Sequence, residues 1–249
     1  MTLYDSLITN TTPAPPKLIV YGSPGRGKTT LAADAGALLI DCENGAGEIP
    51  GLRRTPYLPT WPAMRAWLVE LAMNPPKDIR VVAVDTLDWM VQRITEHVVI
   101  DLDKSAKGDL TNTLGSAHGG FFKSRGIVQN VVYRDLLPLL NAINAHGLPV
   151  LLLAHAHNTK ITTPEGFELR QAAPDLPEWI LPTFVEWVDA VLYLMADQQA
   201  RKLHTEGTNL VLAKNRYNLP PVMPCEKGAA WRNLMAAIIG GRQPEPKGK

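Results

Sequence analysis

The ten residues YGSPGRGKTT, positions 21–30, constrain the fold of this 249-residue chain more than any other stretch. They carry Gly22, Gly27, Lys28 and Thr29 in the spacing G-x-x-x-x-G-K-[ST], after the apolar run KLIVYG and before a helical pattern. A glycine-rich turn that leaves a buried strand and enters a helix lets successive backbone N–H groups face one point, and the helix adds its positive end. Such a turn cradles phosphates. Ser23, Pro24, Gly25 and Arg26 form the loop, Lys28 reaches the β- and γ-phosphates, and the Thr29 hydroxyl ligates Mg²⁺ with Thr30 beside it.

The rest of the chain alternates strand and helix patterns. Strands are expected at 17–22, 37–41, 80–85, 149–154 and 188–195, with two more at 201–205 and 208–214 pairing as a hairpin around Glu206-Gly207. RVVAVD and PVLLLA are continuously apolar, as strands covered by helices on both faces are. Helices are expected at 28–35, ended by Gly36, around the stripe Met64, Trp67, Leu68 and Leu71, at 86–100, at 127–146 with a kink at Pro138, and at 229–239. Polar loops fill 102–126 and 156–177. The fold class is α/β, a doubly wound, mostly parallel sheet with an antiparallel C-terminal hairpin. Residues 17–239 form the domain, 1–16 an extended N-terminal segment open to an oligomerisation contact, and 240–249 a disordered tail.

Three strand ends carry polar groups. Asp85 closes RVVAVD, where it either completes the Mg²⁺ shell from a neighbouring strand or caps the following helix. LLIDCENG ends on Asp41 and Glu43; Asp41 is read as structural, and Glu43 as either an ordinary loop carboxylate or a catalytic one. His155 follows PVLLLA and pairs with His157 on one strand face. It is a γ-phosphate sensor, a structural histidine or, with His157, a metal ligand.

In order, GSPGRGKTT, IDCENG, VVAVDTLDWM and LLLAHAH resemble segments of the RecA-type ATPases, and in particular of the small RecA-like recombinase or single-strand annealing ATPases encoded by bacteriophages. LAKNRYNLPP adds a fifth match, and the resemblance spans about residues 17–221. It implies a RecA-like P-loop NTPase domain that binds ATP and Mg²⁺ and hydrolyses ATP. In it Glu43 activates water, Asp85 serves Mg²⁺, His155 senses γ-phosphate where RecA has Gln, and Lys214 and Arg216 reach a neighbouring subunit's ATP. RecA's long N-terminal oligomerisation helix is not matched, which leaves the segment around Tyr4 as the candidate self-contact. Implied partners are single-stranded DNA, further copies of the chain in a filament or ring, and a single-strand binding protein.

The DNA-facing loops of that family fall on 102–126 and 156–177. The first has Lys104, Lys107, Lys123 and Arg125 against Asp103 and Asp109, a net +2, with Phe121 and Phe122 available to stack on bases or to anchor the loop to the core. The second holds Lys160 and Arg170 but is net −1. A formal charge of +1 gives no overall basic field. Two cysteines without metal spacing argue for a reducing compartment and against zinc, and the absence of a long apolar run argues for a cytoplasmic protein. The function expected is single-strand annealing or strand exchange in recombination. Its rivals are a hexameric helicase-type motor, a P-loop nucleotide or small-molecule kinase, and an ATP-gated DNA-binding module.

Overall fold

The computed structural model describes residues 13–104, 111–162, 166–197 and 200–241. Among the described residues, ten strands form the sheet: β1 (Lys17–Gly22), β2 (Ala37–Asp41), β3 (Arg53–Arg54), β4 (Val81–Asp85), β5 (Val150–Thr162), β6 (Glu168–Pro174), β7 (Ala190–Ala196), β8 (Arg201–His204), β9 (Lys214–Asn215) and β10 (Val222–Pro224). The helices are α1 (Lys28–Asp34), α2 (Trp61–Met73), α3 (Leu87–Glu96), α4 (Lys123–Val131), α5 (Leu137–Ala145), α6 (Leu181–Trp187) and α7 (Ala230–Gly241).

The main strand order is β10-β8-β7-β1-β5-β4-β2-β3. From β7 to β3 neighbouring strands run parallel, while β8 is antiparallel to both β7 and β10. This is the doubly wound, mostly parallel α/β class expected. Its apolar runs are explained by the pleat: in β1, Ile19 and Tyr21 join a core with α2 to α6, whereas Leu18 and Val20 join a second core with α1 and α7. A strand covered on both faces has no polar side to show.

Most helices lie where the sequence puts them. The apolar stripe of α2 is Trp61, Met64, Leu68 and Leu71, with Trp67 partly exposed at its margin. Thr60 caps this helix by accepting from the Ala63 N–H. Between α4 and α5, residues 132–136 form a π-helical turn. Pro138 offers no N–H to Arg134, which places this irregularity within a turn of the expected kink. Helix α4 starts at Lys123, four residues before the expected 127.

Two expectations are corrected. Residues 156–177 are not a polar loop, because β5 continues to Thr162 and β6 returns antiparallel beside it, Ala156 opposite Pro174 and Thr162 opposite Glu168. The arm exposes residues on both faces, so it lacks the apolar alternation that marks a half-buried strand. Segments 201–205 and 208–214 do not pair with each other. The Thr208 hydroxyl accepts from the Leu210 and Val211 N–H groups, turning the chain away. Val211 then bridges to Ala172 of β6, β9 pairs with the start of β7, and β10 takes the free edge of β8.

Candidate nucleotide site

The phosphate loop emerges from the C-terminal end of β1. Gly22 must be glycine because a Cβ there would meet the Leu194 carbonyl of β7 at 2.5 Å. Gly27 caps α1 in the left-handed region, φ 97°, with the Arg201 side chain packed against it. Arg201 is a cation of β8 that no local pattern marks, since strand pairing brings it to the loop.

Lys28 is buried, and its ammonium donates to the carbonyls of Gly22 and Ser23 at 2.9 and 3.2 Å. Burial pulls its pKa down, opposed by the charges of Asp85, Asp88 and Glu43. The Thr29 hydroxyl donates to Asp85 Oδ2 at 2.9 Å. Asp85 is 6% exposed, and burial raises its carboxyl to about 6 although the Thr29 hydrogen bond lowers it. The next residue, joined by a cis peptide, is Thr86, whose buried hydroxyl has no hydrogen-bond partner among the described residues.

The strands carrying the acids are not neighbours of β1. β5 lies between β1 and β4, and β2 lies beyond β4, so the neighbouring-strand geometry expected for Asp85 is corrected by one position. Asp85 nevertheless meets Thr29. Asp41, level with Asp85 across β2 and β4, is 1% exposed and ion-paired to Arg54 at 2.8 Å. Its Oδ1 accepts from the N–H groups of Glu43 (3.2 Å) and Asn44 (2.6 Å), folding the strand end so that Glu43 is presented beside His155. Glu43 Oε1 lies 3.7 Å from His155 Nε2.

His155 ends the buried part of β5, level with Gly22 in β1. Its other ring nitrogen, Nδ1, is 2.8 Å from Asp88 Oδ2, and its backbone N–H donates to Asp88 Oδ1 at 3.0 Å. That contact raises the imidazole pKa against the effect of burial. Sequence reasoning passed over Asp88, because an acid in the first turn of a helix is common as a partner for the helix dipole. His157 points elsewhere, 4.0 Å from the exposed Asp175. Among the described residues, no group of three or more His, Cys, Asp or Glu side chains is placed to hold a metal.

The site suits a nucleotide with Mg²⁺. A hydroxyl and a carboxylate converge at Thr29 and Asp85, the hard oxygen donors this ion takes. Three carboxylates bear on the single ammonium of Lys28, a negative excess that a divalent cation offsets. The unpartnered Thr86 hydroxyl is a further polar group at the same strand end.

Lys214 and Arg216 lie at the other pole of the sheet. Lys214 pairs with Val191, and its ammonium donates to the carbonyls of Val185 (2.6 Å), Glu186 (3.1 Å) and Val188 (2.6 Å). Arg216 is 3.6 Å from Asp189, whose second oxygen accepts the Lys17 N–H. Through Val191, Lys214 is level with Ile19, three strand steps or about 10 Å from Gly22, and Arg216, beside Asp189 and Lys17, is five steps or about 17 Å away, so neither cation sits at the phosphate loop of its own chain.

Of the candidate DNA contacts, Lys107 lies outside the described residues. Lys104, Lys123 and Arg125 are exposed, and Lys160 stands on the β5 arm 3.7 Å from Glu168. Phe121 and Phe122 have positive φ and are 93% and 52% exposed, so they do not anchor the loop in the core. Arg125 lies over the Phe122 ring at 4.1 Å. Asp103, counted against the lysines in the sequence, is buried and accepts the His118 N–H and an Asn112 amide hydrogen.

Residues 14–217 match the family model described as AAA domain, well over half of the chain. The chain belongs to this AAA-domain family. Among solved structures, this AAA-domain protein is similar to the crystal structure of the RadB recombinase, with a TM-score of 0.46 and 15% identity over 86% of this chain and 90% of that one. No curated protein matches its sequence significantly. No helix among the described residues of the AAA-domain chain is long and apolar enough to cross a membrane.

Proposed function

We propose that this AAA-domain protein hydrolyses ATP between subunits and uses the cycle to hold single-stranded DNA for annealing or strand exchange. The observation that carries the reading is the convergence of Lys28, Thr29, Asp85, Glu43 and His155 at the C-terminal ends of four strands. Backbone N–H groups of Ser23 and residues 25–28, with the Lys28 ammonium, hold the phosphates; Thr29 and Asp85 would hold Mg²⁺, which would supply charge neutralisation there. Glu43 orients and deprotonates the attacking water, and His155 responds to the γ-phosphate. A carboxylate 3.7 Å from a histidine at the same strand ends supports water as the acceptor over a kinase substrate. Beside Arg201, a cleft of about 590 Å³ has the size that takes a nucleoside.

Lys214 and Arg216 stabilise the leaving charge in a neighbouring subunit, and their distance from the phosphate loop of their own chain supports that trans role. Lys104, Lys123, Arg125 and the exposed rings of Phe121 and Phe122 form the DNA contact, with Lys107 and Lys160 adding charge. The deciding experiment is phosphate release from Mg²⁺·ATP with and without single-stranded oligonucleotide, with Lys28→Ala as control. Stimulation by DNA in wild type and none in the control is expected. Turnover that ignores DNA, or phosphoryl transfer to an acceptor other than water, overturns the reading.

A further inference from the structure

Glu43 and His155 come from loops and strand ends that sequence separates by more than a hundred residues, yet their relative placement depends on a third side chain. Asp88, on the first turn of α3, spends both carboxylate oxygens on His155: Oδ1 takes the backbone N–H and Oδ2 faces Nδ1. Its side chain is only 13% exposed, so it is not serving chiefly as a solvated acid at a helix start. Holding the amide and the ring together fixes the rotation of the imidazole about its Cα–Cβ bond. The nitrogen opposite the held one then has a single direction, toward Glu43, at ion-pair rather than hydrogen-bond distance.

We propose that Asp88 is a positioning residue for hydrolysis: by gripping His155 at its amide and Nδ1, it turns Nε2 toward Glu43 and sets the sensor and the base in register. The proposal rests on the roles given to Glu43 and His155 above. A carboxylate at Nδ1 keeps a proton there whether the ring is neutral or cationic, so only Nε2 changes state, and it does so facing the group that handles water. Without Asp88 the ring is free to turn, and β5 loses the two contacts that tie it to the first turn of α3 at this level.

The test uses the full-length protein labelled with ¹⁵N-histidine, together with turnover measurements. In long-range ¹H–¹⁵N spectra, with the signal assigned by His155→Gln, wild-type His155 should carry its proton on Nδ1 when neutral. Asp88→Ala should lose that pattern, lower kcat at least tenfold and leave ATP affinity within threefold, while Asp88→Glu restores part of the rate. The double variant Asp88→Ala/His155→Gln should be no slower than His155→Gln alone, since the residues act in one path. A neutral wild-type ring protonated on Nε2 overturns the assignment even if Asp88→Ala does not fold. So does an Asp88→Ala rate within twofold of wild type, or independent, multiplying losses in the double variant. If wild type shows no turnover, the hydrolysis reading fails by itself, and the spectrum still decides whether Asp88 sets the ring.

Discussion

Thr29 and Asp85 are 56 residues apart in sequence and share a hydrogen bond of 2.9 Å, hydroxyl to carboxylate. The contact joins the start of α1 to the end of β4 across the intervening β5. It also places a carboxylate where burial disfavours its charge.

Asp85→Asn should therefore stabilise the nucleotide-free protein while destroying Mg²⁺-dependent turnover. With its carboxyl raised from 3.8 to about 6, the folded chain binds more protons than the unfolded one across that interval. Stability contributed by the protonated group is present below pH 4 and is lost as pH rises toward 6. About two pH units correspond to roughly 3 kcal/mol at most. Thermal unfolding without metal should show Asp85→Asn melting higher than wild type at pH 7 and converging with it at pH 4. Adding Mg²⁺·ATP should raise the wild-type midpoint and leave the variant almost unmoved.

Glu43→Gln should still bind ATP, because the phosphate loop and Thr29 are untouched, but hydrolyse it about 10²- to 10⁴-fold more slowly. Equilibrium binding of a fluorescent ATP analogue and single-turnover phosphate release separate the two. Near-normal hydrolysis would return Glu43 to an ordinary loop carboxylate.

Arg54→Ala tests the support beneath Glu43. Asp41 would lose its 2.8 Å partner while still buried, a loss of about 1–3 kcal/mol in stability. The Glu43 turn should loosen, so kcat should fall more than ATP affinity does. An unchanged kcat in a destabilised variant would confine Asp41 and Arg54 to a structural role.

Lys214→Ala has two separable consequences. Removing an ammonium that three carbonyls share should cost about 1–3 kcal/mol of stability, read by denaturant unfolding. If Lys214 also serves a neighbour, mixing this variant with Lys28→Ala should restore turnover, since some interfaces then combine an intact loop with an intact finger. Failure of every mixture to exceed the separate proteins would limit Lys214 to capping α6.

Phe121→Ala and Phe122→Ala should each weaken binding of single-stranded oligonucleotide roughly 5- to 100-fold, the value of one stacked base. Lys104→Ala and Lys123→Ala should instead reduce the salt dependence of binding. Fluorescence anisotropy across a salt series distinguishes the contributions. Equal affinity for duplex DNA would count against an annealing role.

How much of this was legible in the sequence depended on whether a residue's partners lie close along the chain. The phosphate loop announces itself because one contiguous turn does the work, and β1, β2 and β4 do so because burial on both faces leaves only apolar residues. The β5–β6 arm reads as a loop because Asn158, Thr159, Lys160 and Thr162 give no buried side. Asp88 and Arg201 act on residues 67 and 174 positions away, and neither has a local pattern that differs from a helix-start acid or an edge-strand cation. Asp103 was counted as loop charge for the same reason: its burial comes from the His118 and Asn112 partners that the folded loop brings to it.

The length of β5 has a mechanical consequence. One uninterrupted strand runs from Val150 in the sheet interior through His155 to Thr162 at the far end of the arm. From His155 onward it extends seven residues, about 23 Å, with β6 locked beside it. No break in the strand separates His155 from the tip, so a small tilt at His155 would be magnified along the arm. Whatever grips the tip would feel that tilt as displacement, and a load applied there would be transmitted back to His155.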